Sequence, residues 1–105
     1  MNKNKKQFKL RGKKLFLTYS QLNINFLDDA KKLILEQIEK KVPKIIQYII
    51  AEEKHKDGGI HYHIYLEFNT RVELYGANCL DLEFDKIKYH GKYETIRKKI
   101  QQSDI

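Results

Sequence analysis

The sequence predicts one α+β domain in which an antiparallel β-sheet carries helices on one face and leaves the other face free to hold a ligand. Three observations predict it. Two runs rich in β-branched residues, KIIQYIIAEE (44–53) and IHYHIYLEF (60–68), flank a turn containing Asp57-Gly58-Gly59, the pattern of an antiparallel hairpin. A stretch with helical periodicity precedes that hairpin, after an earlier strand-like segment. At 105 residues and 41% hydrophobic content, the chain suffices for one modest core and not for two.

Each element has its own justification. Residues 1–12 belong to MNKNKKQFKLRGKK, a basic tail that is either solvated or an arm lying along phosphates. KKLFLTYS (13–20) reads as a strand, with Leu15, Leu17 and Tyr19 on one face and Phe16 and Thr18 on the other. Both faces are largely apolar, which suits a central position. From Phe26 to Lys41 a helix is predicted, because Ala30, Leu33, Ile34 and Ile38 recur at helical spacing. Asp28 and Asp29 sit at its start, where the helix dipole favours them, and Pro43 stops it. Beyond Asn69, residues 71–77 are expected as a short helix or loop, 84–89 as a strand and 93–102 as a basic helix. The sheet would thus hold about five strands.

The net charge of +7 and a pI near 9.4 point to an anionic partner, nucleic acid first and an acidic membrane surface second. No apolar stretch behind the basic N-terminus is long enough for a signal peptide or membrane span, and nucleic acid rather than membrane is the expected partner. The single cysteine, Cys79, excludes an internal disulfide and fits an intracellular, reducing compartment. It is read as a small packed side chain.

In a strand, positions i and i+2 point the same way, so His61 and His63 share a face and Tyr62 takes the other. Two such imidazoles suit chelation of one ion, although histidines on the wet face of a strand are common. If the turn centres on Asp57, Glu53 falls opposite His61, with Cβ atoms within about 5 Å. Glu53, His61 and His63 then form a two-histidine, one-carboxylate candidate site for a divalent metal. A slip of one residue would substitute Glu52 for Glu53. Such a trio leaves coordination positions open, as Lewis-acid catalysis requires, and its mixed nitrogen and oxygen donors suit Mn²⁺, Fe²⁺ or Zn²⁺, or Mg²⁺ with substrate phosphate. His55, in the turn, is a weaker ligand, and His90 reads as surface.

These residues resemble a known family. Phe16-Leu17-Thr18-Tyr19-Ser20 is similar to the first motif of the rolling-circle replication initiators (Rep proteins) of small circular single-stranded DNA viruses and related plasmids. His61-Tyr62-His63 resembles their second motif, histidine-hydrophobe-histidine, and Glu53 falls where the family carries its third metal ligand. EEKHKDGGIHYHIYLEF looks like the geminivirus-type version of that hairpin. The resemblance implies a ferredoxin-like (RNA-recognition-motif-like) sandwich, an endonuclease and strand transferase using Mn²⁺ or Mg²⁺, and single-stranded DNA at an origin stem-loop as partner. It also implies a tyrosine that attacks a phosphate to form a phosphotyrosine link. Tyr89-His90-Gly91-Lys92 is the only Tyr-x-x-Lys after the histidines, but Gly91 disfavours a helix there. The resemblance places Gln102-Ser103-Asp104-Ile105 just before the family's catalytic tyrosine, which implies a nucleophile just beyond Ile105, with Tyr89 and Tyr93 as weaker alternatives, and a truncated domain that binds metal and DNA without nicking. The isolated domain is expected as a monomer, acting in a host nucleus if viral or in bacterial cytoplasm if plasmid-borne.

The DNA-contact candidates are Lys13, Lys14, Thr18, Tyr19, Arg71, Asn78, Lys88 and Arg97, with Lys86, Lys92, Lys98 and Lys99 completing a possible phosphate rim. For Tyr19 a core role is the preferred alternative. Two other functions compete with nicking. One is a non-catalytic single-stranded nucleic-acid-binding module of RNA-recognition-motif-like fold, against which the sequence lacks that fold's glycine-and-aromatic third-strand signature. The other is a small structural metal domain, disfavoured by the missing cysteines.

Overall fold

The computed structural model describes residues 8–22, 29–54, 56 and 59–96. Along them run β1 (Lys9–Tyr19), α1 (Ala30–Glu39), β2 (Ile45–Lys54), β3 (Ile60–Tyr75), β4 (Leu82–Phe84), β5 (Ile87–Tyr89) and β6 (Lys92–Thr95). Four strands form an antiparallel sheet in the order β2-β3-β1-β6, and β4 and β5 make a separate two-stranded hairpin. The α+β class holds, with four strands in the main sheet and one helix among the described residues.

β3 sets the pattern. Ile60, Tyr62, Ile64, Leu66 and Phe68 are buried, while His61, His63, Tyr65 and Glu67 stand between them on the other face. β1 matches it with Leu15, Leu17 and Tyr19 inward. Leu10 is also buried, five residues from Leu15, which a period of two cannot reconcile. A register shift between Gly12 and Lys14 absorbs the odd residue and turns both leucines to the core. Ile34 and Ile38 of α1, Leu80, Leu82 and Phe84 close over this face. The opposite face of the sheet is uncovered among the described residues.

Several expectations need correction. β1 begins at Lys9 and pairs with β3 from there, so residues 9–12 are strand and not tail; residues 1–7 lie outside the described set. β3 continues to Tyr75 where a helix or loop was expected, because Val72 and Leu74 resume the inward alternation opposite Gly12 and Leu10. The predicted strand 84–89 is the β4–β5 hairpin. Asp85 and Lys86 adopt left-handed backbone (φ 53° and 67°) and reverse the chain in a two-residue turn, the geometry such hairpins favour. The segment from Tyr93 is not a helix start, since Tyr93 pairs with Leu17 inside β6; residues 97–102 lie outside the described set.

α1 is shorter than the predicted 26–41, with residues 26–28 outside the described set. Asp29 caps no backbone amide; it takes a left-handed conformation (φ 56°) at the helix start. The helix docks through Gln37, whose amide nitrogen donates to the Glu83 carbonyl and whose amide oxygen accepts from the Glu83 N–H (2.9 Å). The Lys41 ammonium donates to the Asp81 carbonyl. Both contacts pin the helix C-terminal half to the start of β4.

Gly91 marks where β6 meets β1. A Cβ at this position would lie 2.7 Å from the Thr18 carbonyl oxygen and 2.7 Å from the Tyr19 ring. Both obstacles belong to the central strand and neither is a flexible side-chain tip. Gly91→Ala is therefore expected to destabilise the domain by about 1–3 kcal/mol, read as a lower urea or thermal midpoint. An unchanged midpoint would show that β6 has freedom to retreat.

Candidate functional site

The hairpin register settles which glutamate faces the histidines. Glu53 pairs with His61 and Glu52 with Tyr62, as a turn centred on Asp57 predicts. Glu53, His61 and His63 therefore project from the open face, and Glu52 lies on the covered side beside the Tyr62 hydroxyl. Glu53 Oε1 sits 3.1 Å from His63 Nε2, a diagonal cross-strand contact. His61 is half-buried with its Nε2 shielded from solvent. Phe16, from β1, stacks on the His63 ring with centroids 6.0 Å apart and planes 17° from parallel, which limits how that imidazole can turn.

The trio shares a face and a register. Among the described residues, however, no three His, Cys, Asp or Glu side chains gather closely enough to hold an ion. What the backbone provides is alignment. The donor set of one carboxylate oxygen and two imidazole nitrogens fits a borderline or hard divalent cation, and an ion entering between Glu53 and His63 would take the place of the hydrogen bond that joins them. His55 lies outside the described residues.

The nucleic-acid candidates divide by location. Thr18 is half-buried on the open face, opposite His63, and Lys14 stands on the same face opposite Glu67. Arg71 is exposed on the far part of β3, and Lys13 is exposed at the β1 register shift. Asn78 and Lys88 lie elsewhere. They line a groove of about 440 Å³ on the covered side, with Gln37, Lys40 and Lys41. Tyr19 is not a surface contact: it is fully buried and its hydroxyl donates to the Leu80 carbonyl at 2.6 Å. Arg97, Lys98 and Lys99 lie outside the described residues.

Neither alternative nucleophile faces the trio. Tyr93 is buried on the covered side, with its hydroxyl donating to Asp81 Oδ1 (2.6 Å) and accepting from the Gly91 N–H (3.0 Å). Tyr89 belongs to the β4–β5 hairpin, where its ring packs against Phe84. His90 is at the surface, as expected, and places Nδ1 2.7 Å from Asp81 Oδ1 with its ring edge-on to Tyr93. Sequence reasoning missed Asp81 as the hub of this cluster, since no local pattern links positions 81, 90 and 93 until the chain has turned back. It also passed over Phe16 as the support of His63, although the alternation of β1 places Phe16 on the histidines' face.

Comparison with known proteins gives concordant matches. Residues 8–101 match the family model described as geminivirus Rep catalytic domain. Over 86 residues the chain is 33% identical to replication-associated protein A of Miscanthus streak virus (isolate 91), covering 82% of this chain and 36% of that protein. It is 30% identical over 82 residues to the replication-associated protein of Cabbage leaf curl virus (isolate Jamaica), covering 78% of this chain and 23% of that one. Replication-associated protein A of Maize streak virus genotype A (isolate Kenya) is 32% identical over 77 residues, covering 73% and 27% respectively. The chain thus spans only about a quarter to a third of the length of these relatives.

Burial pushes the Tyr19 hydroxyl well above the ordinary tyrosine range, with the neighbouring Tyr93 adding to the effect. Burial does the same to Tyr93, reinforced by its bond to Asp81. Both stay protonated in the folded state at a pH where the unfolded chain releases the protons. Their stabilising contribution is complete below pH of about 10 and is lost as pH rises beyond it. Urea midpoints are expected to fall steadily above that pH and to fall less in Tyr93→Phe; a flat profile in the wild type would contradict the burial of these hydroxyls.

Proposed function

The chain belongs to the geminivirus Rep catalytic-domain family, and from that premise we propose that it is the metal-dependent, origin-nicking portion of a rolling-circle replication initiator. The observation that carries the proposal is the pairing of Glu53 with His61, with His63 in contact with Glu53, on a sheet face that the described residues leave uncovered. In this reading Glu53, His61 and His63 hold a divalent ion, Mn²⁺ or Mg²⁺. Bound there, the ion supplies Lewis acidity that polarises a phosphate.

The chain's own residues do the rest of the work in this reading. Phe16 keeps the His63 ring oriented by stacking. Thr18, in the row between His63 and β6, offers a hydroxyl to a phosphate oxygen. Phe16, Tyr65 and Ile49 form an adjacent row across the sheet, and its aromatic members suit stacking of unpaired bases. The proposed substrate is single-stranded DNA at a replication origin. In the nicking step a tyrosine hydroxyl oxygen bonds to phosphorus, the phosphorus–O3′ bond breaks, and the departing 3′ oxygen takes a proton. Tyr89 and Tyr93 face away from the trio and Tyr65 is assigned to stacking, so the attacking tyrosine is proposed to come from outside the described residues.

The relatives are viral, which leaves the bacterial-plasmid alternative without support among them and favours action in a host-cell nucleus. The isolated domain is proposed to be a monomer, with oligomerisation left to the longer protein.

Thermal melting with added ions tests the metal. At an ion concentration one hundred times its Kd, Mn²⁺ or Mg²⁺ is expected to raise stability by about 2.7 kcal/mol, and Glu53→Ala, His61→Ala and His63→Ala each to abolish most of that rise. If neither ion shifts the wild-type Tm, or the rise survives His61→Ala, the nuclease reading gives way to the non-catalytic binding module. Stacking is tested separately. Tyr65→Ala should weaken binding of a single-stranded oligonucleotide by about 1–3 kcal/mol in fluorescence anisotropy while leaving the metal-dependent Tm rise in place. Equal affinity for the two proteins would remove Tyr65 from the DNA-binding face.

A further inference from the structure

We propose that Lys92 is a phosphate-holding residue of the DNA-binding face, fixed in place from behind by the Asp81–Tyr93–His90 cluster. The inference rests on the reading of the open face as the single-strand site. It adds a residue and a positioning device that the metal trio does not include.

Position is the first argument. Lys92 pairs with Thr18, and Thr18 pairs with His63, so the three occupy one row across β6, β1 and β3. Neighbouring strands lie about 4.8 Å apart, which puts the Lys92 and His63 backbones at about 10 Å. A lysine side chain and one phosphate group together bridge that separation. A backbone phosphate drawn to the trio therefore lies within reach of the Lys92 ammonium, with the Thr18 hydroxyl between them.

Charge is the second. Among the described residues, basic side chains are not concentrated beside the trio. Glu53, Glu67 and Glu94 share this part of the open face, and Lys14 stands directly opposite Glu67. Lys92 has an ionic contact with Glu94 at 3.9 Å, its side chain 75% exposed, a loose pairing that an anionic non-bridging phosphate oxygen readily displaces. Without Lys92, a polyanion approaching the row of His63 would meet Glu53, Glu67 and Glu94 against Lys14 among the described residues nearby.

Rigidity is the third. The residues on both sides of Lys92 are locked. Gly91 lies so close to β1 that a Cβ there would meet the Thr18 carbonyl and the Tyr19 ring. Tyr93 is buried and tied through its hydroxyl to Asp81 and to the Gly91 N–H. His90 holds the same Asp81 oxygen from the other side. In a strand, neighbours alternate between faces, so anchoring Tyr93 on the covered side presents Lys92 on the open side. The backbone that carries the ammonium is ordered before DNA arrives, which lowers the entropy lost on binding.

The test is oligonucleotide affinity against salt, with metal-dependent melting run in parallel. Each phosphate contact on a single strand contributes a slope of about −0.7 in log K against log salt. Lys92→Ala is expected to weaken binding roughly five- to tenfold at low salt and to flatten the slope by about 0.7. Lys92→Arg should restore both. Lys40→Ala, which removes the same charge from the covered side, should leave the slope unchanged. Tyr93→Phe should reproduce part of the Lys92→Ala loss and add little to it in the double variant, as expected for a residue acting through Lys92. The inference is overturned if Lys92→Ala and Lys40→Ala behave alike, or if the two losses are additive. Wild-type protein that shows a metal-dependent Tm rise and binds the oligonucleotide, with no effect of Lys92→Ala, sinks this inference alone; wild-type protein that fails to bind the oligonucleotide overturns the single-strand reading with it.

Discussion

The alternation of β3 is the constraint from which the rest of the domain follows. This strand pairs with β2 on one side and β1 on the other, and its even-numbered residues from Ile60 to Phe68 are buried. Apolar burial at about 25 cal/mol per Å² makes that phase expensive to change. A slip of one residue would expose Tyr62, Ile64 and Leu66 and drive His61 and His63 into the core. The hydrophobic side of the sheet thereby fixes the polar side. The histidines face Glu53 because Ile64 and Leu66 need their places opposite Leu17 and Leu15.

The same logic explains which parts of the molecule were legible in the sequence. The Asp-Gly-Gly turn and the alternation of residues 60–68 were enough to place Glu53 opposite His61, since both signals are local and agree. Residues 9–12 read as tail on their basic charge, and Leu10 is out of phase with Leu15 until the register shift near Gly12 reconciles the two. That omission hid the second half of β3, whose partner is the missing stretch. The hairpin turn at Asp85-Lys86 carries no glycine, so the reversal was invisible and one strand was expected where there are two. At Tyr93 the surrounding lysines and apolar residues gave a helical pattern, and tertiary pairing with Leu17 overrode it.

β6 is only four residues long and lies at the sheet's margin, where few backbone bonds hold it. Its order comes from the covered side. Tyr93 lies edge-on to Tyr19, with ring centroids 5.8 Å apart, and Tyr19 in turn bonds to Leu80 in the turn before β4. Asp81 follows directly and receives Tyr93. A chain of contacts thus runs from the central strand through the 76–81 turn and back to the margin, so the two faces of the sheet are not independent. The core near Leu80 is thus in contact, through Tyr19 and Tyr93, with the strands that carry Thr18 and Lys92.

β2 is the outer strand on the other side, and Glu53 sits on it. The carboxylate therefore lies at the rim of the surface, and no described element forms a roof above it. A polymer without free ends cannot be threaded into a tunnel; it has to be met from the side and released the same way. In the proposed reading, a platform that the described residues leave open, with its carboxylate at the border, lets such a strand be laid across it from the side.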